Sequence, residues 1–174
     1  MMKKLVIKKS EIKDAVLISL LGRITFTETF GLFFKDKNDL LNYYEKTFSV
    51  QKIEKSMENP NNKYWIAFVD DLPVGYAKLK LESKSSFIES NNTCQLQKIY
   101  VLKDFISMKI GFELQNQLLN TARELGYKQI WLSVLNSNDR AINFYKKNEF
   151  EKIGSHDFQI GKENFDFIAM SKIL

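Results

Sequence analysis

Between Thr93 and Leu135 the sequence reads as strand, helix, strand, and that run dictates a parallel strand pair. Thr93 to Val101 has the composition of a strand. Ile110 to Leu125 carries Ile110, Leu114, Leu118, Ala122 and Leu125 on one helical stripe, with Gly126 following as the C′ residue. Lys128 to Leu135 is a near-continuous apolar run, the pattern of a strand buried on both faces. Two strands joined through a helix lie parallel, because only a long crossover returns the chain to the same end of a sheet.

The flanks read differently. Lys4 to Lys8 is a short first strand, and helical spacing runs from Glu11 to about Phe30 with Ser10 as a candidate N-cap. Further helices are predicted over Lys37–Phe48 and Val50–Met57, the latter ended by Asn59-Pro60. Tyr64–Val69 and Val74–Leu81 form a hairpin through Asp70-Asp71-Leu72-Pro73. A polar loop, Ser83 to Asn92, precedes the central unit. After it come a helix at Asn138–Lys147 and strands at Phe150–Gln159 and Asn164–Lys172 around Gly161. Hairpins beside a parallel pair make the sheet mixed.

Composition narrows the function. A chain of 174 residues, 44% hydrophobic and 27% charged, fits one domain over 1–174 that needs no disulfide or metal to fold. The longest apolar run, Ala15 to Leu21, is broken by Ser19, far short of the ~18 residues of a membrane span. One cysteine, Cys94, and one histidine, His156, cannot build a Cys/His zinc site. No metal, no membrane and a cytoplasmic location are the expectations. The charge is +5, yet Arg23, Arg123 and Arg140 are the only arginines and the lysines are scattered. That lacks the clustered footprint of a nucleic-acid binder, while a soluble anionic cofactor would use the same excess.

Two segments can carry chemistry. Leu96 to Gly111 runs from strand through a short loop into a helix start, where unpaired N–H groups at the positive end of a helix dipole suit phosphate, although most such turns bind nothing. Asn138 to Phe150 opens on an N-cap asparagine, and Tyr145 lies two turns along the same face. Tyr145 either donates a proton to a leaving group or packs with Ile142 as core.

Together and in this order the segments resemble the GNAT superfamily of N-acetyltransferases. The match runs through Ile99-Tyr100-Val101, Gly111, Leu114, Leu132-Ser133-Val134, Asn138, Ala141-Ile142, Phe144-Tyr145 and Phe150. Arg23 to Gly31 and Gly75 to Leu79 also look like the bacterial spermidine/spermine acetyltransferase branch. The resemblance implies an α/β (α+β) fold: a mixed six- to seven-stranded sheet, a splayed central parallel pair and about four to five helices. It implies acetyl-CoA as cosubstrate, with Ile99, Tyr100 and Val101 on pantetheine, Ser107, Met108, Lys109, Ile110, Gly111 and Phe112 on the pyrophosphate, and Asn138 on the pantetheine arm. Tyr145 would protonate the departing thiolate after direct attack by an amine. Thr25, Glu28 and Phe30, with the 83–92 loop, would face the acceptor, a small-molecule primary amine such as a polyamine. A protein or peptide acceptor and a non-enzymatic CoA-binding sensory domain are the alternatives, and the chain is a monomer or homodimer.

The departures from the family pattern have consequences. Ile106 replaces the leading Gln/Arg of the phosphate loop, and Lys109 replaces its first glycine, which lacks glycine's freedom at positive φ. Asn148-Glu149 stands before Phe150 where a glycine is usual. Gln97 and Ser133 fill the two positions at which relatives place a general-base glutamate, so the amine's proton is expected to leave through solvent. Cys94 is expected as a buried strand residue and His156 as a surface one.

Overall fold

The computed structural model describes residues 4–174, and residues 1–3 of the expected domain lie outside the described residues. Its strands are β1 (Leu5–Lys9), β2 (Asn62–Val69), β3 (Leu72–Lys80), β4 (Thr93–Val101), β5 (Gln129–Leu135), β6 (Glu151–Ile160) and β7 (Glu163–Ile173). Its helices are α1 (Ala15–Phe30), α2 (Lys37–Phe48), α3 (Val50–Glu58), α4 (Ile110–Glu124) and α5 (Asp139–Lys147). The strands form one seven-stranded mixed sheet in the order β1-β2-β3-β4-β5-β7-β6. Among the described residues the β4–β5 pair alone is parallel, as the crossover through α4 requires.

The stripe of α4 packs on one face of the sheet with Ile130, Leu132 and Val134 of β5, joined by Ile142 and Tyr145 of α5. Helices α1 to α3 cover the other face. Gly126 ends α4 at φ +81, and the Tyr127 N–H donates back to the Ala122 carbonyl at 3.0 Å, a helix stop that glycine permits.

Four local expectations are corrected. Ser10 caps no helix: its N–H donates to the Tyr64 carbonyl at 2.8 Å, and Glu11 instead opens a 3-10 turn, Ile12–Asp14, with the Asp14 carboxylate accepting the Glu11 N–H. The β2–β3 turn is tighter than expected, with Asp70 and Asp71 both at positive φ (48° and 66°) and Pro73 already in the strand. β5 alternates rather than being buried on both faces, since Trp131 and Ser133 are half-buried. The helical run Ile12–Phe33 is long and apolar enough to cross a membrane by length and composition, its most apolar 18-residue window having a mean hydropathy of 1.4. Here Ala15, Ile18, Leu21, Phe26 and Phe30 are buried in the protein core.

Candidate active site

β4 and β5 share only three residue pairs, Thr93–Gln129, Cys94–Ile130 and Gln95–Trp131. Beyond them the strands part, while β4 stays paired to β3 as far as Val101 and β5 to β7 as far as Leu135. The facing edges of this V therefore carry backbone groups without strand partners, which the amides of a ligand can satisfy.

A cleft of about 890 Å³ opens over the V, within the size range of small-molecule sites. Ile99, Tyr100 and Val101 line it from β4, and Ser107, Lys109, Gly111 and Phe112 from the 3-10 loop Lys103–Met108 and the start of α4. Asn138 and Tyr145 of α5 and Glu28 of α1 complete the predicted set that meets there. Met108 and Ile110 do not line it: Met108 packs against the core and Ile110 is fully buried, so only their backbones can serve a ligand. Thr25 is also outside, buried with its hydroxyl donating to the Leu21 carbonyl at 2.6 Å. The 83–92 loop lines neither the cleft nor its extension. Ser83 anchors it at the opposite end of the sheet, accepting from Trp131 Nε1 at 2.8 Å.

The loop before α4 achieves its shape at a strain. Lys109 sits at φ +58, the left-handed conformation that glycine would adopt freely and that penalises an L-residue by about 1–2 kcal/mol. The space over Gly111 is open: a Cβ there would meet only Ile99 Cγ2, at 4.0 Å. With the unpaired N–H groups of the first turn of α4 this makes a cradle for phosphate oxygens. Lys103, Lys109, Arg140 and Lys147 line the cleft against one carboxylate, Glu28, whose Oε2 accepts the Lys103 N–H at 3.1 Å. The balance suits a polyanionic ligand.

Asn138 does cap α5, its Oδ1 accepting the Ala141 N–H at 3.1 Å, which leaves its amide NH₂ for a ligand. Tyr145 sits where both the core and the cleft can use it. Its ring packs edge-on against Phe144 and Phe150, and it also lines the cleft, with a hydroxyl that hydrogen-bonds no described residue. Burial pushes its pKa above the ordinary phenol value, so the phenol stays protonated.

Inward, the cleft continues into a pocket of about 70 Å³ lined by Thr29, Phe30, Gln97, Lys98, Ser133 and Phe167, again with Tyr145 at its wall. Ser133 is bonded to His156, Oγ to Nε2, at 2.8 Å. His156 is therefore no free surface residue: it is half-buried and stacked on Phe167 at 5.6 Å. Its Nδ1–H donates weakly to the Asp157 carbonyl (3.4 Å), which leaves Nε2 to accept from Ser133. Cys94 is buried as expected, and burial pushes its thiol up to about 12, leaving it inert. No group of three or more metal-ligating side chains occurs among the described residues.

A splayed parallel pair with a phosphate cradle at one end and a buried phenol over the gap defines a CoA-dependent acyltransferase of the N-acetyltransferase class. Residues 27–150 match the acetyltransferase (GNAT) family, and the chain belongs to it. It is 27% identical over 164 residues, covering 93% of both chains, to an uncharacterized N-acetyltransferase in the pepI 3′ region of Lactobacillus delbrueckii subsp. lactis. Its fold is similar to that of the PaiA N-acetyltransferase from Thermoplasma acidophilum in complex with coenzyme A (TM-score 0.76, 21% identity, 98% and 99% of the chains covered). It is also similar to that of the ribosomal-protein-S18-alanine N-acetyltransferase from Escherichia coli (TM-score 0.72, 15% identity, 98% and 94% covered). The protein is an acyltransferase that uses acetyl-CoA.

Proposed function

We propose that this enzyme moves an acetyl group from acetyl-CoA to the primary amine of a small molecule by direct attack. The observation that carries the reading is that Tyr145 and Ser133, the latter bonded to His156, line one inner pocket at the gap between β4 and β5. Acetyl-CoA supplies the activated acyl group as a thioester. Ile99 and Val101 offer backbone groups to the pantetheine amides, the 107–112 cradle and Lys103 hold the phosphates, and the Asn138 amide steadies the arm.

An attacking amine must be neutral. Ser133 Oγ takes its proton as the Ser133 proton passes to His156 Nε2. As the N–C bond forms and the C–S bond breaks, Tyr145 gives its proton to the sulfur. The nitrogen then loses its second proton through solvent, which restores the Tyr145 phenol. His156 releases its proton to solvent, leaving the amide, the free thiol and one proton. Where Gln97 and Ser133 alone leave the amine's proton to solvent, this reading gives it to the Ser133–His156 pair.

The inner pocket holds only about 70 Å³ beside the packed rings of Phe30 and Phe167, room for a short amine-bearing group. A polyamine would find one carboxylate in the cleft, Glu28, and its Oε2 already accepts the Lys103 N–H. Incubation with acetyl-CoA and a panel of polyamines, amino acids and peptides tests the reading, with free thiol and product mass as readouts. Equal amounts of free CoA and N-acetylated small amine are expected. Turnover confined to peptides, or an acetyl group retained on the protein, would overturn it.

A further inference from the structure

The register of β3 against β4 sets Lys78 directly opposite Lys98. Partners across a sheet share a face, and like charges placed so repel. This face is the one covered by α1 to α3. Lys78 is buried with its Nζ 5.3 Å from the Tyr64 ring centre, and Lys98 Nζ lies 5.0 Å from that of Phe48 and 5.9 Å from that of Tyr100. Neither ammonium has a hydrogen bond or ion pair with a described residue. Lys98 lines the inner pocket.

The surroundings supply donors and no acceptor of opposite charge. Lys52 of α3 and Lys80 of β3 add positive charge beside Lys78. No aspartate or glutamate lines the inner pocket, and Glu28 in the outer cleft already accepts the Lys103 N–H. The Tyr76 hydroxyl, wholly buried on the same face, has no partner, and Tyr76 stacks at 5.9 Å on Tyr100, whose hydroxyl also bonds no described residue. Two lysines paired across one face of the sheet, each with its Nζ over ring faces and neither with an acidic partner, lack a counter-charge. Burial lowers Lys78 to about 7 and Lys98 to about 8, a strain that an anion at this place would relieve.

We infer that the acceptor amine also bears an anionic group, a carboxylate or a phosphate, which Lys98 receives in the inner pocket with Lys78 behind it. The inference rests on the acetyltransferase reading and adds the charge of the substrate. It sets a condition that a polycation fails.

The test compares kcat/KM for matched pairs: n-butylamine against 4-aminobutyrate, and ethanolamine against O-phosphoethanolamine, with spermidine alongside. One anionic member is expected to exceed its uncharged congener at least about tenfold, and which pair does so separates carboxylate from phosphate. Lys98→Met, which keeps the stem over Phe48, should bring that ratio toward one, and Lys98→Arg should restore it. A preference for spermidine or the uncharged amines, or a ratio untouched by Lys98→Met, overturns the inference. If no compound turns over, melting of the acetyl-CoA-saturated protein reads acceptor binding directly. A shift with an anionic amine that Lys98→Met abolishes supports the inference, and no shift refutes it. Failure of acetyl-CoA itself to bind would refute the enzyme reading instead, and the anion-dependent shift is still measured on its own.

Discussion

Replacing Tyr145 with phenylalanine separates the two roles that meet in this side chain. The ring sits at centroid distances of 5.2 Å from Phe144 and 5.6 Å from Phe150, and phenylalanine keeps both contacts. The hydroxyl hydrogen-bonds no described residue, so its removal leaves no buried partner unsatisfied, and stability should change by less than about 0.5 kcal/mol. Catalysis should suffer. General acid catalysis contributes about 10²–10⁴-fold. A thiolate of pKa near ~8.5 leaves with less help than an alkoxide, which points to the lower end. A loss of about 10²-fold in kcat corresponds to about 2.7 kcal/mol at the barrier, with acetyl-CoA affinity unchanged because the proton moves only after attack. Stopped-time thiol release under saturation, with calorimetric titration of acetyl-CoA into both proteins, measures the two quantities. An intact kcat would make Tyr145 a packing residue only.

Lys109→Gly should raise stability by about 0.5 kcal/mol in urea denaturation, since relief of about 1–2 kcal/mol of left-handed strain exceeds the extra entropy of an unfolded glycine. A loss above about 1 kcal/mol would contradict the conformation at φ +58. His156→Asn should lower kcat/KM by roughly 10²-fold near neutral pH and progressively less as the pH nears the amine's own pKa; a uniform loss across pH would show a structural role only. Lys78 and Lys98, lowered to about 7 and 8 in the fold, bind fewer protons folded than unfolded between pH 7 and about 10. Stability should therefore rise with pH across that window, each lysine adding up to about 1 kcal/mol per pH unit, and melting curves of Lys98→Met should show a flatter rise. An equal slope in the variant would place the titration elsewhere.

What the sequence reveals of this protein follows from how local each feature is. α4 and its stop at Gly126 are legible because the stripe and the glycine are set within one segment. Lys109 is legible as a strained position for the same reason, once the loop is recognised. Ser10 misleads because a tertiary partner, the Tyr64 carbonyl, takes its N–H into the sheet before any helix starts. β5 reads as buried on both faces, yet the parting from β4 exposes Ser133 to a pocket. The Ser133–His156 bond spans two strands separated by β7, and no pattern near either residue announces it. Lys98 did leave a trace: it shares strand parity with Tyr100, opposite to Ile99 and Val101, a lysine on a face meant for burial. Its meeting with Lys78 depends on a register that a bulge beside Lys78 shifts, which only the folded sheet reveals.

Acetyl-CoA seated in the gap between β4 and β5 is the premise on which every other step depends. Titrating it into the protein, with the melting temperature followed in parallel, measures that premise. One saturable site is predicted, with about 2.7 kcal/mol of added stability at a hundred times the dissociation constant, seen as a rise of roughly 5–10 °C for a chain of this size. An unmoved melting curve and no heat of binding at millimolar acetyl-CoA would contradict the account.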